Sequence, residues 1–336
     1  MNPFAAVAHW LKPAPAINDQ VRAALPRVVA ALNQIGTVGK LAALDSRLTR
    51  ELATPVARAL DYCEALVANV PGLIDIDRHA FSADPLVHAL FATPADIDNM
   101  LGRSMHLRDY LAAMPAGGDE HLYAMLAMRR HEKASLGIAL DGNTLRTDVP
   151  QTLLYFSDHT LVEPRIALDD TREQLRLAAF DSLLTSFGEH YKAALTARDR
   201  LRDSRTLEQA RLMTVMRGKT GGEIAVRTRA VSELDVRLRE VAAALQPGPL
   251  LAALADTLRQ PETALRLEPI EVSIDRSGVI RDGAAAARGE ADTIGFPELV
   301  ARDQRHHVVV LVRIRREDAA RAIAAVREQQ SRFVVI

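Results

Sequence analysis

The feature that most constrains this chain is a pair of apolar patterns that repeat about every 3.5 residues, as in helices packed side by side. The first pattern lies in a helical stretch from Asp169 to about Met216, and the second lies between Arg229 and Leu245. The apolar positions are Phe180, Leu184, Phe187, Tyr191 and Ala194 in the first, and Val231, Leu234, Leu238, Val241 and Leu245 in the second. Because a short glycine-rich turn at residues 218–222 separates them, we predict a long antiparallel, coiled-coil-like helical hairpin over residues 166–246.

The outgoing helix of this hairpin is longer than its apolar seam. At 1.5 Å per residue, about 47 residues span about 70 Å, which exceeds the diameter of a typical domain. The seam positions beyond Ala194 are occupied by Arg198, Leu201, Arg205 and Glu208. We therefore expect the distal part to project, with a break near Asp203 as the alternative to one continuous helix.

Residues 1–134 have helical periodicity and helix-capping residues, which predict an N-terminal helical bundle. The predicted helices start at Asn18, at Val38, at Asp84-Pro85 and at Thr93-Pro94, and a last one runs from about Asp119 to Arg130. We expect Pro55 to kink or split the second helix. The helix that begins after Thr93 is expected to continue to about Ala113.

Two segments alternate with the two-residue period of β-strands. Residues 135–165 alternate up to the turn Asp141-Gly142-Asn143 and then resume, which predicts a small β-hairpin insert. Residues 247–336 contain a short helix, strands over 265–274, 279–281, 294–300 and 306–314, a loop over 283–292, a helix over 316–330 and a closing strand at 333–336. This last part is predicted to be a small α+β unit whose sheet is a candidate neighbour for the insert. The predicted fold class is mainly α with α+β parts.

The composition is that of a globular protein and narrows the classes of function. A net charge of −1 argues against a protein that coats nucleic acid with its whole surface. Cys63 is the only cysteine, and we interpret it as a small buried residue rather than a reactive thiol. No apolar run approaches the roughly 18 residues of a transmembrane helix, and no secretory signal is expected. The 37 arginines among 42 basic residues are typical of GC-rich bacterial genomes, so we expect a bacterial cytoplasmic protein.

Two short motifs resemble known signatures without meeting their requirements. Gly218-Lys219-Thr220 lacks the glycine that a P-loop needs five positions earlier, where Met213 stands, and it lies between helices. The segment Gly102-Arg103-Ser104-Met105-His106 lacks the second glycine of a serine-hydrolase elbow and lies in a helical pattern. We interpret the first motif as an interhelical turn and Ser104 as an ordinary helix-face residue.

The densest polar cluster lies in the predicted β-insert. Its members are Asp148, Ser157, Asp158, His159 and Arg165. Asp158 and His159 are candidates for an acid/base pair, but adjacent residues of a strand face opposite sides of the sheet. Turn capping by Asp158 and a surface position for His159 are the simpler interpretation. The ten histidines lack metal-ligand spacing, so neither a metal nor a cofactor is predicted.

The tip of the predicted hairpin carries the only local excess of positive charge. Between Arg198 and Arg229 there are nine basic and four acidic residues. The candidate residues for binding a polyanion or a partner are Arg198, Arg202, Arg205, Arg211, Arg217 and Lys219. The stretch contains no aromatic residue that would stack on bases. A solvated helix surface with interleaved acids is the alternative interpretation of this charge.

Three hypotheses of function follow from these patterns. The first is a non-enzymatic interaction or scaffold protein that uses the hairpin as a contact or oligomerisation arm, with a protein partner or a second copy. The second is an adaptor that binds nucleic acid or another polyanion through the basic tip. The third is an enzyme of unknown class with its site near the β-insert.

Salt dependence separates the first two hypotheses. If the tip binds a polyanion, affinity should fall steeply as salt concentration rises, because binding releases counterions. Replacement of Arg205, Arg211, Arg217 and Lys219 with Glu should then abolish binding, as measured by a nucleic-acid titration. Association into dimers or larger species that is insensitive to salt would favour the first hypothesis instead.

Overall fold

The computed structural model describes residues 18–34, 45–114, 120–141, 144–218, 221–303 and 305–333. The chain is mixed α and β, with a sheet of seven strands and one helix of 51 residues. It divides into two compact units, each built from two segments of the chain. Residues 1–62 and 180–264 belong to what we call the helical unit, and residues 63–179 and 265–336 belong to the sheet unit.

The described residues contain the following helices and strands in chain order. They are α1 (Asp19–Gln34), α2 (Asp45–Ala68), β1 (Ile74–Asp75), α3 (Arg78–Ala83), α4 (Pro85–Leu90), α5 (Pro94–Arg103), α6 (Met105–Ala113), β2 (His121–Asp141), β3 (Thr144–Arg165), α7 (Leu168–Gly218), α8 (Gly221–Ala244), α9 (Pro247–Arg259), β4 (Leu265–Ile274), β5 (Ile280–Arg281), α10 (Gly283–Ala287), β6 (Asp292–Ala301), β7 (His306–Arg315) and α11 (Arg316–Phe333). A short 3-10 turn, Pro261–Thr263, precedes β4.

The helical unit buries apolar side chains from four helices. They are Val21, Ala24, Val28 and Leu32 of α1, Leu52, Val56, Ala59 and Leu60 of α2, Phe180, Leu184, Phe187 and Tyr191 of α7, and Leu250, Leu254 and Leu258 of α9. Arg27 of α1 also forms an ion pair with Asp181 of α7. In contrast, none of the 24 residues of α8 is buried.

The sheet unit is organised by a sheet with the strand order β3-β2-β7-β6-β4-β5. These neighbours are antiparallel, and the two-residue β1 pairs in parallel with β7. A bridge joins Leu153 of β3 to Val279, and the Leu154 N–H donates to the Gly278 carbonyl at 2.8 Å. The two ends of the sheet are therefore linked, and the predicted β-insert shares one sheet with the C-terminal strands.

The main core of the sheet unit lies on one face of this sheet. Alternate residues of β2 point into it: Leu122, Ala124, Leu126 and Met128 are all buried. Phe156 of β3 meets Phe296 of β6 edge to face, with ring centroids 5.4 Å apart. The strands β3, β4, β6 and β7, the short helices α3 to α6 and the helix α11 contribute further buried side chains to this cluster. A smaller cluster on the opposite face contains Val309 and Leu311.

Three bulges interrupt the pairing of β2 with β3. The register shifts between Tyr123 and Met125, between Ala127 and Arg129, and between Gly137 and Ala139. At each shift β3 has one extra residue, and the left-handed residues there are Glu163 (φ 51°), Asp158 (φ 57°) and Asp148 (φ 64°). A left-handed conformation is uncommon for any residue with a side chain, so these positions store backbone strain and redirect the side chains that follow.

The prediction of a helix from about Asp119 to Arg130 is wrong, because β2 begins at His121. Leu, Ala and Met favour helices, and this propensity suggested the helix. The same residues also alternate, and pairing with both β3 and β7 buries their even-numbered face. Tertiary pairing therefore overrides a weak local preference. The predicted N-terminal helical segment consequently contains a strand.

Other boundaries differ in smaller ways. The predicted helix from Ala95 to Ala113 is two helices separated at Ser104, and α7 continues through Asp203 without a break. α2 also continues through Pro55. Part of the predicted loop over residues 283–292 is the helix α10, and Phe333 ends α11 instead of beginning a strand. The predicted strands at 265–274, 294–300 and 306–314 are confirmed as β4, β6 and β7.

Gly102 is required where α5 packs against α11. A Cβ atom at this position would lie 2.5 Å from Val326 Cγ2 and 2.6 Å from the backbone oxygen of Ala322. We expect Gly102→Ala to lower the free energy of unfolding by about 1–3 kcal/mol, because the two helices must separate.

Gly283 is the matched control, since no atom lies within 4 Å of the Cβ that would be added there. Gly283→Ala should change the free energy of unfolding by less than about 1 kcal/mol. Urea denaturation of both variants measures the difference. Equal stabilities would contradict the close packing of α5 on α11.

Candidate functional site: the arm of α7 and α8

The candidate site is what we call the arm, which consists of α7 from Phe180 onward and α8. Among the described residues, polar side-chain contacts join α7 to α8 and to the residue that follows it. Tyr191 Oη donates to the Leu245 carbonyl at 3.2 Å, just beyond the end of α8. Arg205 Nε lies 2.6 Å from Asp235 Oδ1, and Arg227 Nη1 lies 3.0 Å from Glu208 Oε2. Residue numbers rise in α7 as they fall in α8, so the two helices run antiparallel at these contacts.

Half-buried residues recur along both helices of the arm at alternating steps of three and four. In α7 they continue the predicted seam through Ala194, Arg198, Leu201, Arg205, Glu208, Leu212 and Val215, and in α8 they include Ile224, Arg227, Val231, Leu234, Leu238 and Val241. The seam therefore extends past the apolar residues into a section that contains charged side chains. Five residues beside this part of the seam are half-buried as well: Leu195, Gln209, Ala230, Asp235 and Ala242.

Glu208 is the centre of this charged section. Its carboxylate accepts hydrogen bonds from Arg211 of α7 at 2.6 Å and from Arg227 of α8 at 3.0 Å. The hydrogen bond from Arg211, and then that from Arg227, lower the pKa of Glu208 below its usual range. The buried Nε of Arg227 has no hydrogen-bond partner among the described residues. Charged groups in a helical seam lower stability but favour the one register that pairs them.

The predicted cations of the tip are only partly gathered: Arg202 and Arg205 line one cavity, together with Arg239 and Asp235. Arg198 pairs with Asp199, Arg205 pairs with Asp235, and Arg211 pairs with Glu208, at 2.7, 2.6 and 2.6 Å respectively. Arg202 and Arg217 are exposed. Lys219 lies outside the described residues. Three of the candidate cations are thus partly neutralised by acids of the arm itself.

Large apolar side chains are exposed on the arm, which the sequence analysis did not single out. The exposed fractions are 52% for Leu207, 53% for Met213, 52% for Met216 and 70% for Val226. Leu207 and Val226 each precede one member of the Glu208–Arg227 pair. In antiparallel helices this places both on the same side of the arm. Met213 and Met216 follow seam residues and therefore lie on the opposite side.

The predicted polar cluster of the β-insert is not gathered into one site. Asp158 pairs with Arg129 at 3.6 Å, and Arg165 pairs with Glu163 at 2.7 Å. Asp148 belongs to a different bulge. Asp158 and His159 therefore do not form the acid/base pair that was considered.

His159 is held by the segment that ends α4. Its Nε2–H donates to the Leu90 carbonyl at 2.7 Å, and its ring stacks on Phe91 with centroids 4.7 Å apart. Burial lowers the pKa of His159, although the Leu90 carbonyl, Asp96 and Asp158 act in the opposite direction. His159 is therefore a half-buried neutral imidazole, which differs from the surface position that the simpler interpretation gave it.

A second pair in the β-insert was missed by the sequence analysis. Ser157 Oγ lies 2.8 Å from His131 Nε2, and the His131 ring stacks on Tyr155 with centroids 4.9 Å apart. The alternation of apolar residues along β2 was the sequence signal for this strand. A strand at this position would have placed His131 beside β3. Within the described part of the chain no carboxylate orients His131, so the pair lacks the third member of a catalytic triad.

Other classes of site have simple descriptions. Burial raises the pKa of Cys63 to about 12, which agrees with a protonated, buried thiol.

Among the described residues no group of three or more His, Cys, Asp or Glu side chains is arranged to hold a metal ion. No single described helix is long and apolar enough to cross a membrane. The pair α8 and α9, bent by 65°, reaches that length and composition only when the two helices are taken together.

Comparison of the chain with protein-family models, with curated proteins and with solved structures finds no match. Function is therefore inferred from the residues of this chain alone.

The lowered pKa of His159 predicts a pH dependence of stability. Its pKa in the folded protein lies below the ordinary value of 6.5, so the unfolded chain binds the proton more readily. The contribution of His159 to the free energy of unfolding is complete at pH values above its pKa in the unfolded chain. This contribution is lost as the pH falls through its pKa in the folded protein. Wild-type protein should therefore lose stability in mildly acidic buffer, and His159→Gln should lose less between the same pH values.

Urea denaturation at a series of pH values measures this difference. His307, whose pKa burial also lowers, is present in both proteins and cancels in the comparison. Identical pH dependence in the two proteins would show that His159 is not buried as described.

Proposed function

We propose that the chain is a non-enzymatic interaction protein of the scaffold type and that the arm is its contact or oligomerisation element. The observation that carries the proposal is the exposure of the arm. None of the 24 residues of α8 is buried, while Leu207, Met213, Met216 and Val226 each expose more than half of their surface. Exposed apolar side chains that recur on one element are typical of surfaces that bind other proteins.

The chemistry of these side chains supports a protein partner. Methionine is flexible and polarizable, so it adapts to apolar surfaces of different shape. The arm carries such residues on both of its sides, with Leu207 and Val226 on one and Met213 and Met216 on the other. A coiled-coil-like arm of this kind would add one or two helices from a partner, or the same arm of a second copy.

The charged section of the seam supports a role in specificity. Glu208 holds Arg211 and Arg227 within hydrogen-bond distance across and along the helices. If the two helices slid by one heptad, the two ion pairs between them, Glu208–Arg227 and Arg205–Asp235, would break in a half-buried position, whereas the Glu208–Arg211 pair within α7 would persist. The section therefore keeps one register, and a fixed register presents the exposed apolar residues in a constant arrangement.

Binding of a polyanion through the tip is the second candidate. Four arginines favour it, because they are exposed and form no ion pair within the described residues: Arg200, Arg202, Arg217 and Arg229. The ion pairs of the other cations argue against binding of a polyanion. Asp199, Glu208 and Asp235 occupy these cations, and their carboxylates would repel the phosphates of a polyanion. We therefore place this candidate after a protein partner.

The proposal predicts that apolar contacts of the arm hold the partner. The double variant Leu207→Ser and Val226→Ser should weaken association at least about tenfold, because each apolar side chain buried in an interface contributes about 1–3 kcal/mol. Sedimentation as a function of protein concentration measures self-association. Capture of partners from an extract of the native cells measures association with other proteins.

The control is the double variant Thr206→Ser and Thr228→Ser. Both threonines are exposed neighbours of the altered residues, and serine retains their hydroxyl bonds to the Arg202 and Ile224 carbonyls. This control should associate as the wild type does. If the wild type neither self-associates nor captures a partner, or if both double variants behave alike, the arm is not the contact element.

A further inference from the structure

The sheet unit contains a cavity that lies apart from the arm. Its volume is about 610 Å³, within the range of about 300–1,000 Å³ that is usual for small-molecule sites. Residues from α5, from the start of α6 and from β3 line it. The cavity therefore belongs to one compact unit and is formed by residues that the structure describes.

The floor of the cavity is apolar. Met100, Phe156 and Leu161 line it, and all three are buried. Phe156 is fixed from behind by its edge-to-face contact with Phe296. A ligand that reached this floor would therefore replace water next to rigid apolar side chains, which favours a ligand with an apolar body.

The rim of the cavity carries the permanent positive charge of Arg103. Arg103 and His106 line it and are exposed, and within the described residues Arg103 forms no ion pair. Asp96 is the acidic residue of the lining, and its carboxylate accepts hydrogen bonds from both the backbone N–H and the hydroxyl of Thr93, each at 2.8 Å. Both bonds use Oδ2 of Asp96, and among the described residues Asp96 forms no ion pair with Arg103.

The break between α5 and α6 positions Arg103 and His106. Ser104 ends α5 and begins α6, and its Oγ accepts the Leu107 N–H at 3.2 Å. Gly102 fixes the end of α5 against α11, since a Cβ atom there would touch Ala322 and Val326. Arg103 and His106 are therefore held on either side of a defined break, although their side chains are exposed.

The opposite wall is set by the bulge in β3. Asp158 has a left-handed backbone at this bulge, and the next residue, His159, lines the cavity. Because the Leu90 carbonyl can only accept a hydrogen bond, the Nε2 atom of His159 carries the proton. The Nδ1 atom then bears the lone pair of a neutral imidazole. His159 thus adds a polar, uncharged group to the wall, and Arg103 supplies the permanent positive charge.

We infer that this cavity is a binding site for a small organic anion that has an apolar body and a carboxylate or phosphate headgroup. The body lies against Met100, Phe156 and Leu161, and the headgroup pairs with Arg103 beside His106. Arginine suits both headgroups, because its guanidinium donates two parallel hydrogen bonds to either one. The inference is independent of the proposed role of the arm, since the two sites lie in different units.

The test uses the full chain and four probes of known chemistry. Naphthoate and naphthyl phosphate carry the two headgroups on the same apolar body, naphthalenemethanol is neutral, and inorganic phosphate lacks the body. At least one of the two aromatic anions should bind saturably and shift the imidazole NMR resonances of His106 and His159. The neutral alcohol and inorganic phosphate should each bind at least about tenfold more weakly than that anion. The alcohol lacks the charged headgroup, and inorganic phosphate lacks the apolar body.

Arg103→Glu should weaken binding of the aromatic anion at least about tenfold, because it replaces the pairing cation with a repelling charge. Arg108→Glu is the matched control, since Arg108 lies on α6 outside the cavity lining and pairs with Asp109 at 3.6 Å. Thr160→Trp places a bulky side chain at an exposed position of the lining and should also block binding. Circular dichroism verifies that each variant is folded, and a variant that fails to fold is replaced by Arg103→Gln, which should bind more weakly than the wild type.

Three results would overturn the inference. One is the absence of saturable shifts with both aromatic anions. Another is equal affinity for naphthalenemethanol and the aromatic anions, which would show that the headgroup is not recognised. The third is equal loss of affinity for the aromatic anion in Arg103→Glu and Arg108→Glu. This result would show that the loss comes from the overall charge of α6 and its surroundings, not from a contact with Arg103.

Discussion

The antiparallel pairing of β2 with β7 is the interaction on which the rest of the sheet unit depends. It joins His121–Met128 to residues near the end of the chain, and β2 also pairs with β3 along most of its length. Residues 180–264 leave and rejoin the sheet unit between β3 and β4. The start of α7 is fixed to this pairing, because the Thr171 hydroxyl donates to the Tyr123 carbonyl at 3.1 Å. The β2–β7 pair therefore joins β2 and β3 to the C-terminal strands, and the bridge between Leu153 and Val279 links the two ends of the same sheet.

Interruptions of regular structure build both of the proposed sites. In the arm, the apolar seam gives way to Arg205, Glu208 and Arg227, which take part in ion pairs between α7 and α8. At the cavity, the helix break at Ser104 and the bulge at Asp158 redirect the chain on two facing sides. Each interruption lowers local stability. The fold tolerates it because the helix or strand that is interrupted makes other contacts that hold it in place. Gly102 packs against α11, and β3 remains paired with β2 on both sides of its bulge.

Much of the fold was predictable wherever local pattern and tertiary contact agree. The strands β4, β6 and β7 follow from their alternation, and the long helix α7 follows from its period. β2 was missed because its Leu, Ala and Met residues favour a helix when they are considered without neighbours. The cavity was missed for a related reason. Arg103 and His106 lie in a motif that the sequence offers only as a poor match to a hydrolase signature, and their relation to His159 requires two distant segments to meet.

The sequence by itself determined the apolar repeat of α7, because the spacing of Phe180, Leu184, Phe187 and Tyr191 depends only on the geometry of a helix. It also determined the charge of the tip, which is a property of composition. Only the tertiary structure decided that Arg205 is paired with Asp235 and Arg227 with Glu208, while Leu207 and Val226 are exposed on one side. The physical reason is that a side chain's partner and its exposure depend on the facing element. No periodicity within a single helix contains that information.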